Sequence, residues 1–313
     1  MTPRRAWRDA RLQRGDFEFH YVEWEAAPPA VPPSILLLHG LSSNAHYWDR
    51  VAGHLTSRRL VALDLTPKDP ADAAMPELLA DVAFAITELG LEKPVVVGHS
   101  WGAGLALEFV AAHSELVSGL VFVDGPIHGV ARIFTWEEVE ALMQPAFRHY
   151  ASAGDAIAES QGYLGLAWGD DLEPYVEAGL ERDGDGLVSK LTSPVRLRIL
   201  RDLYDSDPER LWPRIRVPAV ALIARKSDAK ISRSTEVGMT RIAEVVPAVA
   251  IKRFETPHDI PLYAPKEVAR DIELIAGRAE SASPLLQASA RNHGPTSPRR
   301  WSCRRGGAAS PSR

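Results

Sequence analysis

Polar and apolar positions alternate over residues 17–24, after the turn signal Gly15-Asp16, and this predicts an N-terminal hairpin strand. Prolines 28, 29, 32 and 33 then interrupt the chain before Ile35, Leu36, Leu37 and Leu38, a continuous apolar run of the kind that forms a strand covered on both faces. Trp48, Val51, Ala52 and Leu55 recur at helical spacing, and residues 60–65 return as an apolar run broken only by Asp64. The same alternation predicts a helix carrying Leu78, Leu79, Val82, Ile86 and Leu89, a strand over 94–98, a helix over 101–112 and a strand over 117–123. Repeated strand and helix units with buried strands belong to an α/β fold, a mostly parallel sheet with helices on both faces.

Between residues 126 and 216 the pattern changes. There is no strand signal, but there are helix starts, the capping box Thr135-x-x-Glu138 and the pair Ser193-Pro194 opening an apolar stretch to Leu203. We read this segment as a helical insertion. The alternation resumes with a strand over 219–224, a helix holding Met239, Ile242, Ala243 and Val246, a strand over 249–254 and a last helix with Val268, Ile272 and Ile275. The expected organisation is a core of residues 1–125 and 217–278, an insertion of 126–216, and a disordered tail of 279–313, where Ser, Pro, Gly, Ala and Arg dominate.

Charge sharpens this division. The chain carries a net charge of −5, yet the tail holds six arginines and one acid, which leaves 30 basic against 40 acidic side chains before residue 279. An acidic body argues against a nucleic-acid surface, which needs a concentrated basic face. The single cysteine, Cys303, lies in the tail, so neither an intrachain disulfide nor a thiolate metal site can form, as suits a reducing cytoplasm. No stretch has the apolar length of a membrane span or a leader's apolar core, so the expectation is a cytoplasmic protein with no membrane partner. The ten histidines show no paired ligand spacing and no strand is followed by G-x-G-x-x-G, so neither a metal nor a cofactor is expected. Nothing in the pattern fixes an oligomeric state.

The sharpest chemical signal is Gly98-His99-Ser100-Trp101-Gly102, a G-x-S-x-G set between a predicted strand and a predicted helix. Such a turn pushes a serine hydroxyl out of the sheet, and small flanking residues relieve the crowding this causes. A serine needs a base within hydrogen-bond reach and a carboxylate to orient that base. His258 follows the strand over 249–254, and Asp228 follows the strand over 219–224, so both emerge at the same edge as Ser100. Taken singly, His258 reads as a surface loop residue and Asp228 as a helix N-cap; their shared edge favours the triad Ser100, Asp228 and His258. Asp124, at the end of the strand over 117–123, is the competing acid, and Asp259 is expected to point elsewhere. The backbone N–H groups of Leu41, after His39-Gly40, and of Trp101 are placed to hold an oxyanion. His39 is expected to shape that loop, and His99 to be structural.

On His39-Gly40-Leu41, Gly98 to Gly102, Asp228, and Pro257-His258 followed by Pro261 and Pro265, residues 17–277 resemble the α/β-hydrolase family. The resemblance implies an eight-stranded, mostly parallel sheet whose insertion after the sixth strand is a cap over the site, with Trp136, Tyr150, Tyr163, Trp168 and Tyr175 as candidate pocket residues. Many relatives carry a glycine-rich G-H-G-x-S turn where this chain reads Leu65-Thr66-Pro67-Lys68-Asp69-Pro70. The epoxide hydrolases and haloalkane dehalogenases of this fold use a carboxylate at the elbow, so a serine there implies an acyl-enzyme. A small carboxylic ester or related acyl substrate is the implied partner. A cofactor-free lyase or perhydrolase, and a non-catalytic binding protein, are the alternatives.

Overall fold

The computed structural model describes residues 5–15, 17–143, 148–226, 228–246 and 248–282. The first part of the chain contributes β1 (Arg8–Arg14), β2 (Phe17–Trp24), β3 (Ile35–Leu38), β4 (Leu60–Leu63), β5 (Val95–His99) and β6 (Gly119–Val123). An insertion then carries β7 (His149–Tyr150), β8 (Leu180–Asp183) and β9 (Gly186–Ser189), after which β10 (Ala219–Ala224) and β11 (Ala250–Phe254) return to the first sheet. That sheet has eight strands in the order β1-β2-β4-β3-β5-β6-β10-β11. Strands β4 to β11 in this order run parallel, while β2 is antiparallel to both its neighbours.

Side-chain alternation divides each central strand between two cores. Leu36, Leu38, Val61, Leu63 and Val96 face one core with the helices Met75–Glu88 and Trp101–Ala112. Ile35, Leu37, Leu60, Ala62, Val95 and Val97 face the other with the helix Pro265–Ala282. Each valine, leucine and isoleucine among them contributes about 1.5–3 kcal/mol by its burial, and strands covered on both faces read as short all-apolar runs. Strand order reverses between β4, β3 and β5, and crevices at such reversals lie at the carboxyl ends of the strands. Ser100, Asp124 and His258 all follow such ends.

Two expectations need correction. The insertion is not wholly helical, because β7, β9 and β8 form a three-stranded antiparallel sheet. Its hairpin turns at Gly184 (φ +56°) and Asp185, a Gly-Asp loop flanked by strands of four residues, too short to stand out in the sequence. The last helix also runs on to Ala282, past the expected start of the tail at 279, and residues 283–313 lie outside the described residues. The expected helix starts are present, with Glu138 N–H donating to Thr135 Oγ1 (3.3 Å) and Thr135 N–H to Glu138 Oε2 (2.8 Å). No helix among the described residues is long and apolar enough to cross a membrane.

Candidate active site

Strand β5 ends at His99, and Ser100 turns the chain into the helix Trp101–Ala112 with φ +56° and ψ −121°. A non-glycine residue in this region costs about 1–3 kcal/mol, so its surroundings must over-determine it. They do so through three close approaches. A Cβ on Gly98 would lie 2.2 Å from the Gly102 carbonyl oxygen, one on Gly102 2.3 Å from the His39 carbonyl oxygen, and one on Gly125 2.6 Å from Ala103 Cβ. Ser100 N–H also donates to the Val123 carbonyl (2.9 Å), which fastens the turn to the end of β6.

Two of the three expected triad residues meet. His258 Nε2 lies 2.8 Å from Ser100 Oγ. Its Nδ1 lies 2.6 Å from Asp124 Oδ2, not from Asp228. Asp228 instead caps the helix Ala229–Val245, its Oδ1 accepting the Ile231 N–H at 2.8 Å, so the choice of Asp228 as the acid beside His258 is corrected to Asp124. The physical reason is backbone direction. Asp124 sits at φ +44° directly after β6, with Gly125 packed against Ala103 and Phe122, and this turn aims its side chain across the strand ends. Asp228 lies at the rim of the same cavity with its carboxylate committed to the helix end.

The Asp124 side chain is 1% exposed. Its Oδ1 accepts the Ala224 N–H (2.8 Å), and the Lys226 ammonium reaches both oxygens, at 2.6 and 2.5 Å. Burial pushes this carboxyl up, but the His258 hydrogen bond and the Lys226 charge outweigh it and leave the group below the usual carboxylate range. Sequence reasoning missed Lys226 altogether. A lone lysine two residues beyond a strand carries no signal until its partner is known.

Two neighbouring histidines are fixed by their own contacts. His39 Nε2 accepts the Leu65 N–H (2.9 Å), which leaves Nδ1–H to donate to the Gly40 carbonyl (2.7 Å) and so braces the loop that leads to Leu41. A Cβ on Gly40 would lie 3.2 Å from Ser100 Cβ, so this loop runs alongside the serine. Trp101 opens its helix, where the first N–H groups have no intrahelical partner. His99 is buried and stacks on Tyr47 (4.8 Å), and burial above all, then the nearby His258, pushes it down to about 3. Asp259 turns away to accept the Tyr47 hydroxyl proton at 3.1 Å.

A cavity of about 580 Å³ opens beside Ser100, Trp101, Asp124 and His258. Ile127, Ile133, Phe134, Met143, Leu203 and Ile231 make its walls largely apolar, with His128 and Thr235 among its few polar groups. None of the five candidate pocket aromatics lines it. Trp136 packs edge-on to Tyr204 (5.7 Å), Tyr175 packs near Tyr47 (5.9 Å), Tyr150 donates to Glu159 (3.1 Å), Trp168 packs against the core, and Tyr163 is exposed. From the insertion, the stretch directly after β6 lines the cavity together with Met143 and Leu203. No group of three or more His, Cys, Asp or Glu among the described residues could hold a metal ion.

A sheet of this order with a strained serine after β5 defines an α/β protein with a hydrolase-type elbow. Residues 35–271 match the model of the alpha/beta hydrolase family, and the chain belongs to that family. Lipase LipV of Mycobacterium tuberculosis is 30% identical over 157 residues, covering 49% of this chain and 58% of the lipase. Epoxide hydrolase 3 of Xenopus tropicalis is 33% identical over 124 residues, covering 37% of this chain and 33% of that enzyme. The chain thus spans less than two thirds of the length of these curated relatives. Among solved structures, E-2-(acetamidomethylene)succinate hydrolase superposes with a TM-score of 0.71 at 18% identity, covering 86% of this chain and 99% of its own. The thioesterase domain from the curacin biosynthetic pathway gives 0.70 at 16% identity, again covering 86% and 99%. These two structural likenesses bear on the fold.

Proposed function

We propose that the protein is a serine hydrolase that cleaves a small carboxylic ester, or a related acyl substrate, through an acyl-enzyme on Ser100. The observation that carries this reading is the unbroken hydrogen-bond chain from Asp124 through His258 to Ser100, at the edge of an apolar cavity. Ser100 Oγ attacks the carbonyl carbon while His258 Nε2 takes its proton, and Asp124 holds the Nδ1–H tautomer and supports the imidazolium. The backbone N–H groups of Leu41 and Trp101 receive the oxyanion. When the tetrahedral intermediate collapses, the bond to the leaving oxygen breaks and His258 protonates that oxygen. Water activated by His258 then adds to the acyl-serine, the acid leaves, and Ser100 regains its proton.

The serine also weighs against epoxide opening, the activity in the names of several relatives. A serine oxygen that opened an epoxide would form an ether, which offers water no carbonyl carbon to attack for release. The cavity suits an apolar acyl or alkoxy group. At about 30 Å³ per water-sized group, it holds on the order of ten to twenty non-hydrogen atoms.

Labelling with a fluorophosphonate tests the reading, with Ser100→Ala and His258→Ala as controls, followed by p-nitrophenyl esters of increasing chain length. Labelling at Ser100 that depends on His258, with release of acid and alcohol from the esters, is the expected result. A folded wild-type protein that neither labels nor hydrolyses any ester overturns it. Labelling without ester hydrolysis turns the assignment to lyase or perhydrolase chemistry on the same residues.

A further inference from the structure

Under the sequence reading, the loop after β10 supplies the acid of the site. In the structure that loop supplies a cation instead, and the acid comes from β6. We propose that Lys226 is a positioning residue of the reaction described above, its ammonium clamping the Asp124 carboxylate so that Oδ2 faces His258. This inference rests on the reading of Ser100, His258 and Asp124 as a working triad.

Each Asp124 oxygen has two donors. Oδ1 takes Ala224 N–H and Lys226, and Oδ2 takes His258 and Lys226. The Lys226 side chain is itself only 19% exposed. Without the lysine, a buried carboxylate would keep one amide and one neutral imidazole as partners, too little to repay the loss of water around a charge. It would also lose the one donor that bridges both oxygens, leaving a single hydrogen bond on each. The ammonium therefore does two things at once. It fixes the rotamer that presents Oδ2 to Nδ1, and it places a positive charge behind the acid, which opposes the uptake of a second proton by the imidazole.

The charged and titratable groups around His258 come from four elements. Asp124 follows β6, Lys226 and Arg225 follow β10, His99 ends β5 with its ring 4.8 Å away, and Asp259 adjoins in sequence but is held by Tyr47. His99 is held neutral by burial, so it adds no charge beside the imidazole over the working range. Arg225 shares the cavity wall without touching the Asp124 carboxylate in the way Lys226 does. Lys226 is thus the cation bound directly to the acid.

The test compares wild type, Lys226→Met, Lys226→Gln and Lys226→Arg by fluorophosphonate labelling rate and by kcat and KM for a p-nitrophenyl ester across pH 5–9. Lys226→Met is expected to lower kcat by about ten- to a hundredfold through loss of alignment. Its KM should stay within about twofold, since the ammonium binds the acid rather than the substrate. The acid limb of the pH–rate profile should move up by about one pH unit. Lys226→Arg, which keeps the charge, should restore the position of the limb and part of kcat. If Lys226→Met does not fold, Lys226→Gln against Lys226→Arg carries the same comparison. A folded, charge-free variant with an unmoved acid limb overturns the proposal, as does a loss of rate that arginine fails to rescue. A wild-type protein that does not label at Ser100 sinks the triad reading beneath it, an outcome separate from normal labelling that ignores Lys226.

Discussion

Replacing each candidate acid in turn separates the two assignments most sharply. In Asp124→Asn the shape is kept, but the charge that steadies the imidazolium is lost, and an amide that turns its NH2 toward Nδ1 forces the wrong tautomer. A change of this kind at an orienting aspartate costs about 10⁴ in kcat in a well-studied serine protease, so a loss of about 10³–10⁴ is expected here. Stability also falls, because the Lys226 ammonium loses its counter-charge. Breaking a buried pair costs about 3–5 kcal/mol, and the 19% exposure of Lys226 places this site toward the lower end or below it. In Asp228→Ala the loss is the cap on the helix Ala229–Val245, about 0.5–2 kcal/mol, while kcat should stay within about threefold of wild type. The assay is hydrolysis of one p-nitrophenyl ester under saturating conditions, with melting temperatures taken in parallel. An Asp228 variant that loses more rate than Asp124→Asn, both being folded, refutes the assignment drawn from the 2.6 Å contact.

Three further outcomes follow from the same geometry. An unfolded histidine titrates near ~6.5, whereas folded His99 is pushed down to about 3 by burial, so below ~6.5 the unfolded chain takes up a proton that the folded one refuses. Its stabilising contribution is complete above ~6.5 and shrinks as pH falls, by about 2 kcal/mol at pH 5, so melts of His99→Gln should lose less between pH 7.5 and 5 than wild type; equal losses would exclude His99 as the cause. Gly102→Ala would set a Cβ 2.3 Å from a backbone oxygen, and with no flexible side chain to give way it should cost about 1–3 kcal/mol or more and abolish labelling of Ser100; a variant that labels at the wild-type rate would show that the elbow is looser than drawn. Leu203→Trp should fill part of the 580 Å³ cavity, raising KM for long acyl chains while sparing acetate, and an unchanged chain-length profile would mean that the acyl group lies elsewhere.

The sequence by itself determined the alternation of strands and helices, the elbow and the histidine loop. The residues responsible carry a local signal: apolar runs at β3 to β6 suit central strands, and the spacing of Gly98, Ser100 and Gly102 marks the turn, although Gly102 closes on the distant His39. Helix starts at Thr135 and Ser193 were legible for the same reason, whereas the short strands of the insertion were not, since β8 and β9 are only four residues long. Tertiary structure alone decided which acid meets the imidazole. Asp124 and Asp228 both follow parallel strands, and the chain order permits either, but the choice turns on a positive φ at Asp124 and on a helix end that claims Asp228. The pocket followed the same rule. Trp136, Tyr150, Tyr163, Trp168 and Tyr175 found partners in nearby side chains, in the core or in solvent, and the cavity wall fell to Phe134 and mostly aliphatic side chains, because side-chain direction is set by packing and leaves no periodic trace.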